Sequence, residues 1–201
     1  NESHICELIR RDSLNEFIDL VNKSNTKLNS KVPKSIYETS SFLIQNHPTL
    51  IEYAAFFGSI QIFKYLQKKN VHAGPNLMKY AVHSNKPEMI YLVAEITENY
   101  DSPQKPRTMW SPIPMSNYFL GSDELINENI LTEAIKCHHN SIARYFEQNN
   151  FLPNEKIENK YKAALNYFNF EFMPSDIHEL FDLTDAKNRI NSIKHLEKIT
   201  F

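Results

Sequence analysis

A helical hairpin pattern recurs along the chain, and it restricts the possible folds more than any other feature. Two stretches of helical apolar periodicity meet at one turn residue in "LIEYAAFFGSIQIFKYL" (50–66), "LMKYAVHSNKPEMIYLV" (77–93) and "ILTEAIKCHHNSIARYF" (130–146). A small alanine lies four positions before each turn residue; the pairs are Ala54 and Gly58, Ala81 and Asn85, and Ala134 and His138. Gly and Asn suit such turns because they tolerate positive φ. The shared spacing predicts three hairpins in one register.

Hairpins of this kind are expected to stack. A single hairpin leaves an apolar face exposed, and stacking neighbours side by side buries that face in a continuous core. Looser copies, "LIRRDSLNEFIDLV" (8–21) and "YKAALNYFNF" (161–170), are expected to be degenerate terminal units. Only "VHAGP" (71–75) separates the first two full hairpins, which is too short for a regular β-hairpin finger. The predicted fold class is therefore all-α, a solenoid of stacked hairpins with short or absent β-hairpin fingers.

The hairpin residues resemble the ankyrin repeat, whose signature is Thr-Pro-Leu-His-x-Ala-Ala followed by a Gly turn and an apolar second helix. Thr49, Ala54, Ala55 and Gly58 match this signature, whereas its Pro and His are replaced. The stretches "ICELIRRDSLNEFIDLVNKSN", "SFLIQNHPTLIEYAAFFGSIQIFKYL" and "EAIKCHHNSIARYF" are more closely similar to an ankyrin-type domain of unknown function that is expanded in parasitic protists. The resemblance covers most of residues 4–173 and implies a non-catalytic module for protein–protein interaction.

The organisation departs from a regular ankyrin array, in which units recur at about 33 residues. The separation is 27 residues from Ala54 to Ala81 and 53 from Ala81 to Ala134. We predict one domain over 1–201. Its parts are a degenerate first repeat (4–24), a helical insertion (25–48) with a helix over 33–45, repeats at 49–70, 76–95 and 129–150, a Pro-rich insertion (100–123), and terminal helices (155–201).

The ankyrin resemblance also implies where a partner would bind. The two residues between the paired small positions and the turn face the concave groove in that family. Here these residues are Arg10 and Arg11, Phe56 and Phe57, His83 and Ser84, and Lys136 and Cys137. Aromatic and Arg side chains are common binding anchors. Two alternatives stay open for Phe56 and Phe57: contact with a partner, or packing against the neighbouring hairpin.

Trp110 lies in the Pro-rich insertion and is a second candidate for partner binding. It either docks a partner or folds onto the stack, and a lone Trp is more often packed.

The cluster "IKCHHN" (135–140) raises the alternatives of a metal site and a Cys nucleophile. Adjacent helical residues point about 100° apart, so His138 and His139 are not expected to face one ion, and even with His83 the spacing matches no zinc signature. No third group orients a Cys–His pair, and Glu133 is expected to cap or solvate its helix. We therefore expect no metal, cofactor or catalytic residue. The ankyrin resemblance instead implies a structural role for His139, since a His at this position in that family often bonds the backbone of a neighbouring repeat, and Cys137 lies just before the turn.

Composition restricts the partners. The net charge of −2 lacks the basic excess of a nucleic-acid binder, and no apolar stretch approaches the length of a membrane span. Two cysteines are too few for a disulfide framework, which favours a reducing, cytoplasmic setting. We expect a protein partner and a monomer in isolation. The alternatives are a structural segment of a longer repeat protein and, less favoured, a Cys-dependent enzyme.

Overall fold

The structure is a computed structural model that describes residues 2–33, 38–101, 130–148 and 157–173. Nearly all of the Pro-rich insertion, with Trp110, lies outside these ranges. The terminal helices predicted over 155–201 are described only as far as residue 173.

The described residues are all-α. Their helices are α1 (Glu2–Arg10), α2 (Leu14–Ser24), α3 (Ser41–Asn46), α4 (Leu50–Phe57), α5 (Ile60–Lys68), α6 (Leu77–His83), α7 (Pro87–Asp101), α8 (Ile130–Lys136), α9 (Asn140–Gln148) and α10 (Ile157–Asn166), followed by a 3₁₀ turn at Phe170–Phe172. No strand forms within these ranges, where one isolated backbone bridge joins Lys31 to Thr49. The predicted absence of regular β-hairpin fingers is therefore confirmed for the described part of the chain.

Each helical hairpin turns at a residue in the left-handed conformation. The turn residues are Asp12, Gly58, Asn85, His138 and Phe168, with φ values of 55, 63, 52, 56 and 56°. At Gly58 the next residue, Ser59, donates its N–H to the carbonyl of Ala54 at 2.9 Å, the bond that closes a Schellman motif. The same bond forms from Ser13 to Leu8, His139 to Ala134, and Asn169 to Ala164. The turn residues predicted at Gly58, Asn85 and His138 are confirmed.

The hairpins pack side by side in chain order. We number them hairpin 1 (α1 and α2), hairpin 2 (α4 and α5), hairpin 3 (α6 and α7), hairpin 4 (α8 and α9) and hairpin 5, which begins with α10. The first helices contact one another in the sequence α1, α4, α6, α8, α10, and α2 also contacts α5. Ala54, Ala81, Ala134 and Ala164 are all 0 % exposed, since a small side chain lets the first helices approach closely.

Side chains that follow the turns fasten each hairpin to the one before it. Ser59 donates its hydroxyl to the carbonyl of Ile9, and Asn169 donates its amide to the carbonyl of Ile135 at 2.9 Å. The Nδ1 of His139 lies 2.8 Å from the carbonyl oxygen of Val82. The structural role predicted for His139 is thus confirmed, and these bonds fix the register of the stack.

The helix in the insertion is shorter than predicted. We expected it over 33–45, but α3 begins at Ser41, and residues 38–40 are not helical. Ser40 caps α3, because its hydroxyl accepts the N–H of Leu43. Residues 34–37 lie outside the described ranges.

Candidate functional site

The predicted groove residues form a continuous stripe of contacts along the first helices. We call this set, at positions 10–11, 56–57, 83–84, 136–137 and 166–167, the inner-face stripe. Its members meet between successive hairpins: Arg10 lies 5.1 Å from the ring of Phe57, the rings of Phe56 and His83 are 4.7 Å apart, Cys137 Sγ lies 3.4 Å from His83 Nδ1, and Lys136 Nζ lies 5.7 Å from the ring of Tyr167. Asn166 and Tyr167 extend the predicted set by one hairpin.

Arg10 is exposed, and its side chain is also held by two polar contacts. Its Nε donates to the hydroxyl of Tyr53 at 2.8 Å, and one terminal nitrogen lies 2.9 Å from a carboxylate oxygen of Glu38. Arg11 follows the end of α1, is exposed, and pairs with Glu7 of that helix. Of the two predicted arginines, Arg10 holds the insertion against α1 and α4, and Arg11 faces solvent.

Ser84 takes a local role at the end of α6. Its hydroxyl donates to the carbonyl of Ala81 at 2.6 Å and accepts the N–H of Lys86 at 3.1 Å. These bonds stabilise the turn between α6 and α7.

Phe56 and Phe57 are both half-buried. Their burial therefore does not decide between the two alternatives of contact with a partner and packing against the neighbouring hairpin. Phe42 of α3 covers part of this surface: its ring stacks 6.0 Å from Phe56 and lies 4.2 Å from His83 and 5.0 Å from Tyr80. The sequence analysis did not identify Phe42. Nothing in the local pattern of the insertion indicates which hairpins α3 contacts.

His83, Glu133 and Cys137 form a compact polar cluster between α6 and α8. Glu133 lies in α8, and Cys137 follows the end of that helix four residues later, where its N–H bonds the carbonyl of Glu133. Both side chains contact or lie close to His83 of α6. His83 Nε2 lies 2.9 Å from Glu133 Oε1, and Cys137 Sγ lies 3.4 Å from His83 Nδ1 and 4.0 Å from Nε2. The His83 and Glu133 side chains are only 13 % and 14 % exposed. The expectation that no third group accompanies a Cys–His pair is wrong, because α6 and α8 bring Glu133 to His83. Glu133, which was expected to cap or solvate its helix, lies in the first turn of α8 and is half-buried against His83.

The environment of the cluster changes its protonation. Burial acts to raise the pKa of Glu133, but the hydrogen bond with His83 and the charge of Lys136 together lower it. Burial raises the pKa of the Cys137 thiol to about 11, and the nearby Glu133 carboxylate adds to the rise. Lys136 Nζ lies 3.2 Å from Glu133 Oε1, so this lysine is an ion-pair partner of the cluster. Glu133 is therefore ionised and Cys137 is a neutral thiol at neutral pH.

The two neighbouring histidines of "IKCHHN" do not join this cluster. His138 directs Nε2 to the carbonyl oxygen of Tyr167 at 2.9 Å, and the His139 ring bonds the carbonyl of Val82. Of the residues considered for a metal site, only Cys137 and His83 come together. Both cysteines, Cys6 and Cys137, are free thiols.

A cavity of about 330 Å³ opens beside the stripe between α8 and α10. Its lining includes Glu133, Lys136, Lys162, Asn166 and Tyr167. Tyr167 is 42 % exposed, and the aromatic side chains that follow it, Phe168 and Phe170, are 56 % and 53 % exposed. The sequence analysis expected a degenerate unit over 161–170 but did not identify its stripe residues, which the spacing of Ala164 before Phe168 indicates.

Comparison with known proteins adds no relative. No protein-family model, no curated protein and no solved structure matches the chain. Among the described helices, none is long and apolar enough to cross a membrane.

Proposed function

We propose that this chain is a non-catalytic protein-interaction module, built as an ankyrin-type solenoid whose inner-face stripe binds a protein partner. The observation that carries the proposal is the shared turn: five described units reverse at a left-handed residue. At each of the four junctions between them, a residue from the two positions before one turn contacts an equivalent residue of the next unit. A surface assembled in this way is rigid before binding, so little conformational entropy is lost when a partner docks.

The composition of the stripe supports the same function. Half-buried Phe57 and exposed Tyr167 offer apolar area with a low side-chain entropy cost, which is typical of binding anchors. The cavity beside Tyr167 is large enough to receive a side chain of the partner.

Site-specific photocrosslinking in native cytosol tests this proposal. A photoreactive phenylalanine analogue at Phe57 is compared with the same analogue at Tyr91, an aromatic residue that is 55 % exposed on α7 and outside the stripe. Both replacements keep an aromatic ring, so both variants should fold. We expect one discrete adduct from position 57 that position 91 does not give. Equal adducts at both positions, or none at position 57, would refute partner binding at the stripe.

One observation favours a second candidate, a thiol enzyme: Cys137, His83 and Glu133 have the order of contacts that a nucleophile, a base and an orienting carboxylate need. The raised pKa of Cys137, about 11, opposes it, because the thiolate fraction at neutral pH is then only about 10⁻⁴, against about 10⁻² for an ordinary thiol.

Alkylation of metal-free protein by iodoacetamide separates the two candidates. We expect Cys137 to react at least about tenfold more slowly than a model thiol at neutral pH, as read by mass spectrometry of the modified peptide. Reaction faster than the model thiol would favour the enzyme.

A further inference from the structure

We propose that His83, Glu133 and Cys137 form a binding site for a divalent cation of the zinc class. The site shares His83 and Cys137 with the inner-face stripe, but ion binding does not depend on the proposed partner-binding function. Its residues come from two hairpins whose positions 83 and 137 are 54 residues apart in the sequence, so a bound ion would join α6 directly to α8.

The distances suit a tetrahedral ion. One ligand atom from each residue lies within 4.8 Å of the other two. His83 Nε2 is 2.9 Å from Glu133 Oε1 and 4.0 Å from Cys137 Sγ. Zinc bonds of about 2.0–2.3 Å in tetrahedral geometry place ligand atoms about 3.3–3.8 Å apart. Small side-chain rotations, of less than about 1 Å at each atom, therefore bring the three groups to coordinating distance.

The ligand types select the ion. Thiolate and imidazole ligands favour Zn²⁺ and its spectroscopic substitute Co²⁺, whereas Mg²⁺ and Ca²⁺ prefer oxygen ligands alone. Three protein ligands leave a fourth position for water. Coordination by Cys137 forms a metal–sulfur bond and releases the thiol proton to solvent, while His83 binds through the lone pair of a ring nitrogen and Glu133 through a carboxylate oxygen.

The surroundings of His83 hold the imidazole in position before an ion binds. Its ring stacks at 24° on Phe56 and lies against Phe42, so its rotation is restricted and one side of the site is apolar. An ordered, apolar shell of this kind is typical of metal sites, because it fixes the ligand and limits water. Lys136 acts in the opposite direction, since its ammonium group lies 3.2 Å from the Glu133 oxygen that an ion would use. An ion must displace or share this contact.

Cobalt titration of the metal-free 201-residue chain tests the site. We expect stoichiometric appearance of thiolate-to-cobalt charge-transfer and tetrahedral d–d absorption, displaced by Zn²⁺ but not by Mg²⁺. Cys137→Ser and His83→Gln should abolish the charge-transfer band or weaken affinity at least about tenfold. Lys136→Gln should tighten binding, because it removes the competing cation. Failure of wild-type protein to develop the charge-transfer band would overturn the proposal.

His138→Asn is the matched control. It removes the imidazole adjacent to Cys137, and Asn suits the left-handed turn at this position. The affinity of His138→Asn for Co²⁺ should stay within about twofold of wild type, because His138 bonds the carbonyl of Tyr167 and is not one of the three proposed ligands. An equal loss in the control and in His83→Gln would show non-specific histidine binding and overturn the site.

A second measurement needs no variant. Saturating Zn²⁺ should slow alkylation of Cys137 in the wild-type protein at about pH 8.5, where a measurable thiolate fraction exists, because the coordinated sulfur is protected. Unchanged alkylation of Cys137 in the presence of Zn²⁺ would refute coordination by this thiol even if another part of the chain binds the ion.

Discussion

Ser59→Ala should weaken the attachment of hairpin 1 to hairpin 2. Ser59 is 1 % exposed and donates its hydroxyl to the carbonyl of Ile9, fifty residues earlier in the chain. Although Ser59 precedes α5, its side chain makes no capping bond to that helix, so loss of a cap does not contribute. The carbonyl of Ile9 keeps a second bond from the N–H of Asp12, which limits the desolvation penalty. We therefore expect a loss of about 1–1.5 kcal/mol in the free energy of unfolding.

Ser24→Ala provides the same chemical change without the inter-hairpin bond. Ser24 is exposed and donates to the carbonyl of Leu20 within its own helix, a bond that adds little stability. Its replacement should change the free energy of unfolding by no more than about 0.5 kcal/mol. Urea denaturation followed by circular dichroism compares the two variants with wild type. If Ser59→Ala differs from Ser24→Ala by less than about 0.3 kcal/mol, the hydroxyl does not fasten the hairpins as argued.

The part of the chain that Ser59→Ala destabilises is a stricter test than the total change in the free energy of unfolding. In a stack where each hairpin contacts only its neighbours, weakening one junction should release the terminal unit first. Amide hydrogen exchange should therefore accelerate in α1 and α2 of Ser59→Ala, with little change in α8 and α9. A uniform acceleration across the chain would contradict the local origin of the effect.

Two further predictions follow from individual side chains. Gly58→Ala should cost about 1–2 kcal/mol in the free energy of unfolding, measured by urea denaturation, because φ is +63° and the added Cβ would meet the Lys86 side chain at 2.6 Å; no loss would contradict the left-handed turn. Burial and then Glu52 raise the pKa of Tyr80 to about 12, so the stability this tyrosine contributes is complete below its unfolded pKa of about 10 and lost as pH rises to about 12. Tyr80→Phe lacks this titrating group, so between about pH 10 and 12 the wild type should lose up to about 3 kcal/mol more of its free energy of unfolding than the variant does. Free energies of unfolding that fall in parallel with pH in the two proteins would refute this prediction.

The hairpin register could be predicted from the sequence because its causes are local. Gly58 and Asn85 accept positive φ, and alanines four residues before the turn provide close helix contacts in hairpins 2 to 5, whereas hairpin 1 has Leu8 at this position. Phe168 shows the limit of residue preference, since an aromatic residue is disfavoured in the left-handed region and only the spacing from Ala164 indicates the turn.

The candidate site could not be predicted in the same way because its contacts are long-range. Glu133 and His83 are fifty residues apart, and their hydrogen bond depends on which helices pack together. The same is true of Arg10 and Glu38. Sequence periodicity assigns a residue to a helix face, but it does not give the partner opposite that face.

The junction between hairpins 2 and 3 differs from the other described junctions in what joins it. At the other junctions, Ser59, His139 or Asn169 bonds the backbone of the preceding hairpin. In hairpin 3 this bond comes from Lys86, a long flexible side chain whose Nζ lies 2.8 Å from the carbonyl oxygen of Gly58. Such a side chain loses more rotational freedom when it is fixed than a serine does, so the same bond stabilises less.

Aromatic packing strengthens this junction instead. Phe56 and His83 stack across it, and Phe42 of the insertion covers both rings. The insertion helix α3 therefore has a structural role at the junction between hairpins 2 and 3, where the bond to the preceding backbone comes from the long side chain of Lys86. It follows that substitutions at Phe56 would change the stack and the stripe together, whereas Phe57, which contacts Arg10 and Tyr53 within hairpins 1 and 2, reports more directly on partner binding.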